Sequence, residues 1–141
     1  MMNRKDRRYF NLAKAVSYTS DYPRVHIGSV IIKNKEIVAV SANQKKSHPL
    51  QQKLNPIRFD NHTSQQDIDK CNNYQHAEFS AIIKCKHLNL NGAIIYVYRE
   101  DKFGKIAMCK PCSACMLLIR KAGIRYVYYT DKDGYNKLEL V

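Results

Sequence analysis

No stretch of this chain approaches the ~18 consecutive apolar residues that a membrane-spanning helix needs. The N-terminal segment, Met1-Met2-Asn3-Arg4-Lys5-Asp6-Arg7-Arg8, is charged and leads into no apolar run of the kind a secretory signal carries. Internal repeats and low-complexity linkers are also missing, so neither a repeat array nor a tail-like chain is expected. Acidic residues are few. Twelve Asp plus Glu stand against 24 Lys plus Arg, a formal net charge of +12 with a pI near 9.6. That excess points to a polyanionic or phosphorylated partner, or serves solubility alone. Cysteine comes in an odd number, as Cys71, Cys85, Cys109, Cys112 and Cys115. An odd count without a secretory signal argues against a disulfide framework. It favours metal ligands or free thiols in a reducing, cytoplasmic setting.

What is present suffices for a core. Hydrophobic residues make up 45% of 141 positions, and the length fits one domain over residues 1–141. Tyr9, Leu12, Ala13 and Val16 recur at helical spacing between Arg4 and Tyr18. Val25–Ile32 and Glu36–Ala42 are apolar runs around the polar Lys33-Asn34-Lys35, which predicts a hairpin. The span 44–75 is mostly polar, with Pro49 and Pro56, and reads as a long functional loop. A second helix is expected over His76–Lys86, a strand over Ala93–Tyr98 and a third helix over Pro111–Ala122, with Pro111 in its first turn. A strand over Arg125–Thr130, the turn Asp131–Gly134 and a last strand over Tyr135–Val141 complete the chain. Strands alternating with helices imply a layered α/β sheet.

Two short segments carry chemistry: His76-Ala77-Glu78 and Pro111-Cys112-Ser113-Ala114-Cys115, each at an expected helix start. Cys112 and Cys115 stand three apart, on one helix face, and can grip one metal ion. The positive end of the helix dipole favours their thiolates. His76 supplies a third ligand, and a zinc site with three protein ligands keeps an open position, as catalytic sites do. Such a zinc lowers the pKa of water toward neutrality. Glu78 stands where it can move protons without binding the metal. The Ala77 N–H, in the first helical turn, lacks an intrahelical partner and is free to hold an acceptor on a substrate.

His-x-Glu followed by Pro-Cys-x-x-Cys is the signature of zinc nucleobase deaminases, and the chain resembles the CMP/dCMP-type branch of the cytidine deaminase superfamily. The resemblance runs from about Val25 to Thr130. It covers His26-Ile27-Gly28-Ser29-Val30-Ile31-Ile32, Gly92-Ala93-Ile94-Ile95-Tyr96-Val97 and Gly123-Ile124-Arg125-Tyr126-Val127-Tyr128-Tyr129. It implies a three-layer α-β-α sandwich around a mixed sheet of about five strands. It also implies a bound zinc, hydrolytic conversion of cytosine to uracil, and a sugar contact from Asn43. Two departures stand out. Arg99–Lys110 intervenes before the Pro-Cys segment with Gly104 at a turn, which predicts a hairpin-like extension. The chain also ends shortly after the strand at Arg125, which makes the last two strands an antiparallel hairpin.

Cys109 is read as buried or lining the pocket, Cys85 as core, and His26 as structural or near the pocket mouth. His48, His62 and Cys71 are read as loop residues without a metal. Tyr128 or Tyr129 is a candidate platform for the base, and Arg4, Lys5, Arg7 and Arg8 are either a phosphate-binding face or a solvated helix face. The charge tilts the substrate toward cytosine in single-stranded DNA or RNA. Free dCMP or CMP is the close alternative, and an adenine deaminase is further off. A non-catalytic nucleic-acid-binding module with a structural zinc is the rival of another class, and such a module has no use for Glu78.

Overall fold

The computed structural model describes residues 3–22, 25–45 and 76–140. Helix α1 (Arg4–Ser17) opens where the Asn3 side chain accepts a 2.8 Å hydrogen bond from the Asp6 N–H, an N-cap that satisfies a donor the helix leaves orphaned. Its buried face is Asp6, Tyr9, Phe10, Ala13 and Ser17, with Leu12 and Val16 at the margin. Strands β1 (His26–Lys33) and β2 (Glu36–Ala42) form the expected hairpin. Its two turn residues, Asn34 and Lys35, have φ of 52° and 66°, the left-handed pair whose twist matches the flanking strands. Helix α2 (Ala77–Lys84), β3 (Ile94–Glu100), α3 (Ser113–Ala122), β4 (Tyr126–Asp131) and β5 (Gly134–Glu139) follow in the anticipated order.

Most boundaries shift by one or two residues from the sequence reading, and two of the shifts have a plain cause. Pro111 lies ahead of α3 rather than in its first turn, because Cys112 is the N-cap. Strand β3 runs on to Glu100, because Arg99 and Glu100 still pair with Ile27 and His26 of β1.

The sheet order is β2-β1-β3-β4-β5. Strand β1 is antiparallel to both neighbours, β3 and β4 are parallel across the α3 crossover, and β5 returns antiparallel to β4 from Asp131↔Gly134 to Tyr126↔Glu139. Alternation along the strands sorts the core into two halves. Val30, Ile32, Tyr96 and Tyr98 pack with Tyr9, Phe10 and Ala13 of α1. Ile31, Ile95, Val97 and Val127 pack with Ala81, Ile82 and Ile119 of α2 and α3. The result is the α-β-α sandwich around a mixed sheet.

The α1 half holds a buried polar pair: the Tyr96 hydroxyl donates to Asp6 Oδ1 at 2.6 Å. Burial, then that carboxylate, pushes the Tyr96 phenol far above its ordinary value. Helix and strand touch at Gly28, where a Cβ would come within 2.0 Å of the Ala13 carbonyl oxygen. The insertion after β3 is a short hairpin. Glu100 bridges Ile106, the Asp101 N–H donates to the Lys105 carbonyl at 2.7 Å, and Gly104 turns the chain at φ 79°. Among the described residues no helix is long and apolar enough to cross a membrane.

Candidate active site

His76 and Cys112 occupy equivalent places. Each is a helix N-cap with extended backbone, φ −72° and ψ 149° for His76, φ −67° and ψ 169° for Cys112. Each carbonyl already accepts the first bond of its helix, Ser80 N to His76 O at 3.0 Å and Met116 N to Cys112 O at 2.8 Å. Their side chains therefore stand at the positive ends of α2 and α3. Cys115 joins them from the first turn of α3.

His76 Nδ1 lies 3.4 Å from Cys115 Sγ and 3.7 Å from Cys112 Sγ, and the three donor atoms fall within 4.8 Å of one another. Zn–S bonds of about 2.3 Å and Zn–N bonds of about 2.0–2.1 Å at a tetrahedral centre set the N···S edge near 3.6 Å. The two observed edges bracket that value, and one imidazole with two thiols is a donor set suited to zinc. The Cys112 thiol is drawn well below its ordinary value, first by its hydrogen bond with Cys115 and then by His76, against the opposing effect of burial. Among the described residues this is the cluster of metal-ligating groups, and it holds three protein ligands.

Glu78 lies one turn position beyond Ala77 and is 4% exposed. Its Oε1 is buried with no hydrogen-bond partner among the described residues. Burial pushes its carboxyl above the usual carboxylate range, and His76 pulls against that. A buried acceptor left without a donor is costly unless a ligand proton meets it. The donor triad and the orphaned Glu78 Oε1 together fit a zinc site with a reacting proton beside it.

The sequence reading missed what fixes the start of α2. Ser29 Oγ of β1 donates to the Ala77 carbonyl at 2.8 Å, and Ser41 Oγ of β2 meets Ser80 Oγ at 2.6 Å. These buried hydroxyls hold the first turn of α2 against the sheet, so the Ala77 amide and Glu78 keep their aim. The signal in the sequence was a serine in each of two otherwise apolar strands.

The other anticipated residues fall in different places. Asn43 is fully buried. Its Oδ1 accepts from the Ile27 N–H at 2.9 Å and its Nδ2 donates to the Val25 carbonyl at 2.7 Å, which ties down the start of β1. Tyr129 packs on the α2/α3 side of the sheet, the side of the triad. Tyr128 is on the other side, stacked on Tyr96 with ring centroids 4.5 Å apart. Strand alternation separates the two tyrosines, so Tyr128 is not brought to the triad.

Cys109 is buried outside the triad. Its sulfur lies 3.1 Å from Thr130 Oγ1 and donates to the Val97 carbonyl at 3.3 Å, and burial pushes the thiol up to about 12. Cys85 is core, as expected, and His26 is exposed on β1. Arg4, Lys5, Arg7 and Arg8 form the solvated face of α1, across the sheet from the triad. His48, His62 and Cys71 lie outside the described residues.

Residues 3–131 match the family model of the cytidine and deoxycytidylate deaminase zinc-binding region. A deoxycytidylate deaminase of Mycobacterium phage D29 is 27% identical over 137 residues, covering 91% of this chain and 95% of that one. Among solved structures, dCMP deaminase from the cyanophage S-TIM5, in complex with dCMP and dUMP, superposes with a TM-score of 0.62 at 22% identity, over 92% of this chain and 83% of that one. Cytidine deaminase from Burkholderia pseudomallei superposes with a TM-score of 0.63 at 15% identity, over 98% and 93%. With a family model spanning nearly the whole described fold and the donor set in place, this chain belongs to the zinc-dependent cytidine and deoxycytidylate deaminase family.

Proposed function

We propose that the substrate is free deoxycytidylate, converted to deoxyuridylate, and that residues 1–141 work as one catalytic domain. His76, Cys112 and Cys115 hold the zinc, and Glu78 carries the proton. The observation that carries the chemistry is the buried, unpartnered Glu78 oxygen beside a three-donor site of tetrahedral spacing. Zinc held there supplies a Lewis acid that lowers the pKa of a water molecule toward neutrality.

The protein's own residues do the rest. The two helix N-termini and the Ser29 and Ser41 hydroxyls hold His76, Ala77 and Glu78 in one fixed turn. The Ala77 N–H donates to the base carbonyl and orients the ring. Glu78 accepts one proton of the attacking water and passes it to the ring nitrogen. It then takes the second from the hydroxyl added to the ring carbon and gives it to the amine, which leaves as ammonia while the carbonyl forms. The raised affinity of Glu78 for protons suits a group that must hold one and release it. Water and cytosine give uracil and ammonia, with no redox partner.

The choice of a mononucleotide rests on two things. The phage relative that aligns along nearly all its length with this chain is a deoxycytidylate deaminase. And four of the 24 cations, Arg4, Lys5, Arg7 and Arg8 on α1, stand on the far side of the sheet from the triad. A single-stranded polynucleotide is the second reading. The hairpin leading to Cys112 supports it, with Phe103 76% exposed between the exposed Lys102 and Lys105. Uracil formation from dCMP, CMP, cytidine and a labelled oligonucleotide separates the two. Efficient, weakly salt-dependent turnover of dCMP is expected. Turnover confined to the oligonucleotide, falling steeply with salt, decides for the second reading.

A further inference from the structure

We propose that Arg99 grips the phosphate of the nucleotide, an inference that rests on the mononucleotide reading above. With the base at Glu78 and the triad, the phosphate must meet a cation within one nucleotide's length. Many described cations are elsewhere. Those of α1 lie across the sheet. Those of the β1–β2 turn and of the C-terminal end of α3 gather round Asn91 and Gly92, at the end of the fold away from the two helix N-termini. There Lys33 Nζ donates to the Asn91 carbonyl and Gly92 N to the Gly123 carbonyl.

Arg99 is placed differently. Alternation on β3 puts it on the α2/α3 side with Ile95 and Val97, at the C-terminal end of the strand, where the chain turns into the hairpin that leads to Cys112. The strand position is fixed on both flanks: Arg99 pairs with Ile27 of β1, and its N–H donates to Thr130 Oγ1 at 3.3 Å. Its guanidinium is anchored at one corner, Nη1 to the Met108 carbonyl at 3.0 Å. That anchor precedes Cys109, whose sulfur donates to the Val97 carbonyl on the same strand, three residues before Cys112.

The Arg99 Nε–H is buried with no partner among the described residues. A guanidinium tied at Nη1 keeps its Nε–Nη2 edge, the edge that meets two phosphate oxygens with parallel hydrogen bonds. An arginine whose only task was to pin the hairpin has no reason to desolvate that donor and leave it empty. The lysines of the same hairpin are exposed, and a hydrated ammonium on a mobile stem selects poorly for a phosphate.

The test uses the whole zinc-loaded protein and the product as probe. Calorimetric binding of dUMP and of deoxyuridine is compared in the parent, in Arg99→Gln, in Arg99→Lys and in a control, Lys121→Gln, at the far end of α3. The preference of the parent for dUMP over deoxyuridine should fall about 10–100-fold in Arg99→Gln. Arg99→Lys should recover part of it, and Lys121→Gln should keep it. Thermal melting and zinc content confirm that each variant is folded. An unchanged preference, or equal weakening of both ligands, overturns the assignment and leaves Arg99 a hairpin anchor. Turnover of dCMP by the parent, measured alongside, answers for the substrate reading, so the two ideas fail separately.

Discussion

At the scale of the residue, Glu78 carries the heaviest consequence. It is not among the three metal donors, and its free oxygen is placed for a proton. Glu78→Gln should therefore keep one zinc per chain while turnover falls at least ~10³-fold, because an amide cannot accept the water's proton. Metal analysis beside an activity assay checks this, and near-normal turnover would sink the role. The same burial makes Glu78 a cost to the fold. Its carboxyl is raised, so its ionised form weakens the native state as pH climbs past the ordinary carboxylate range. Below that range both folded and unfolded chains hold the proton and nothing is lost. After chelation, Glu78→Gln should melt higher than the parent at pH 8 and equal to it at pH 4. A lower melting point at pH 8 would contradict the direction of the shift.

The metal donors make a second prediction at this scale. Replacing Cys112 by serine removes one of three ligands from a site that binding and folding share. Zinc should drop well below one equivalent, whereas Cys109→Ser should keep it, because Cys109 spends its sulfur on Val97 and Thr130. Retention of full zinc by Cys112→Ser with loss in Cys109→Ser would mean the ligand set is wrong.

At the scale of the element, the α1 layer depends on how closely α1 and β1 approach. Gly28 permits it, since a Cβ there would overlap the Ala13 carbonyl oxygen and lie 2.6 Å from Ser17 N, both backbone atoms that cannot step aside. Gly28→Ala should destabilise the fold by about 1–3 kcal/mol, the usual cost of overpacking, and denaturant unfolding would read it. A change below a few tenths would show that α1 slides freely on the sheet. The β1–β2 turn gives the opposite sign. Lys35 holds a left-handed conformation that a side chain adopts at a cost. Lys35→Gly turns the pair into Asn-Gly, the preferred sequence of this turn, and should leave the protein as stable or more so by roughly 0.5 kcal/mol.

At the scale of the whole molecule, the sheet separates charge from chemistry. A net charge of +12 made a polynucleotide partner attractive while the positions of the cations were unknown. Arg4, Lys5 and Arg7 are on α1, and the triad is on the opposite layer. Two packed layers exceed the ~8 Å over which charges act at physiological salt. Replacing Arg4, Lys5 and Arg7 together by glutamine should shift kcat/KM for dCMP less than about 2-fold. It should also stabilise α1 slightly, because cations in a first helical turn oppose the dipole. A drop of 10-fold or more would place α1 within the field of the active site after all.

The sequence by itself determined the parts that follow from local rules. The order of the elements was legible in the periodicity of their apolar residues, and the cluster of His76, Cys112 and Cys115, with Glu78 proposed as its proton carrier, in the spacing of His76-Ala77-Glu78 and Cys112–Cys115, each tied to a helix start. The hairpin after β3 and the antiparallel β4–β5 pair were legible in Gly104 and in the turn Asp131–Gly134. Only the tertiary structure decided which face each strand residue meets. One step along β4 sends Tyr129 toward the triad and Tyr128 behind the sheet against Tyr96. It also decided that Ser29, Ser41 and Asn43 brace backbone, and that Arg99, unremarkable among 24 cations, ends on the α2/α3 side of the sheet with its Nε–H unmet among the described residues. A residue's type and spacing fix its local geometry, whereas its partners are set by pairings between strands far apart in the chain, such as Ile27 with Arg99, which no local pattern encodes.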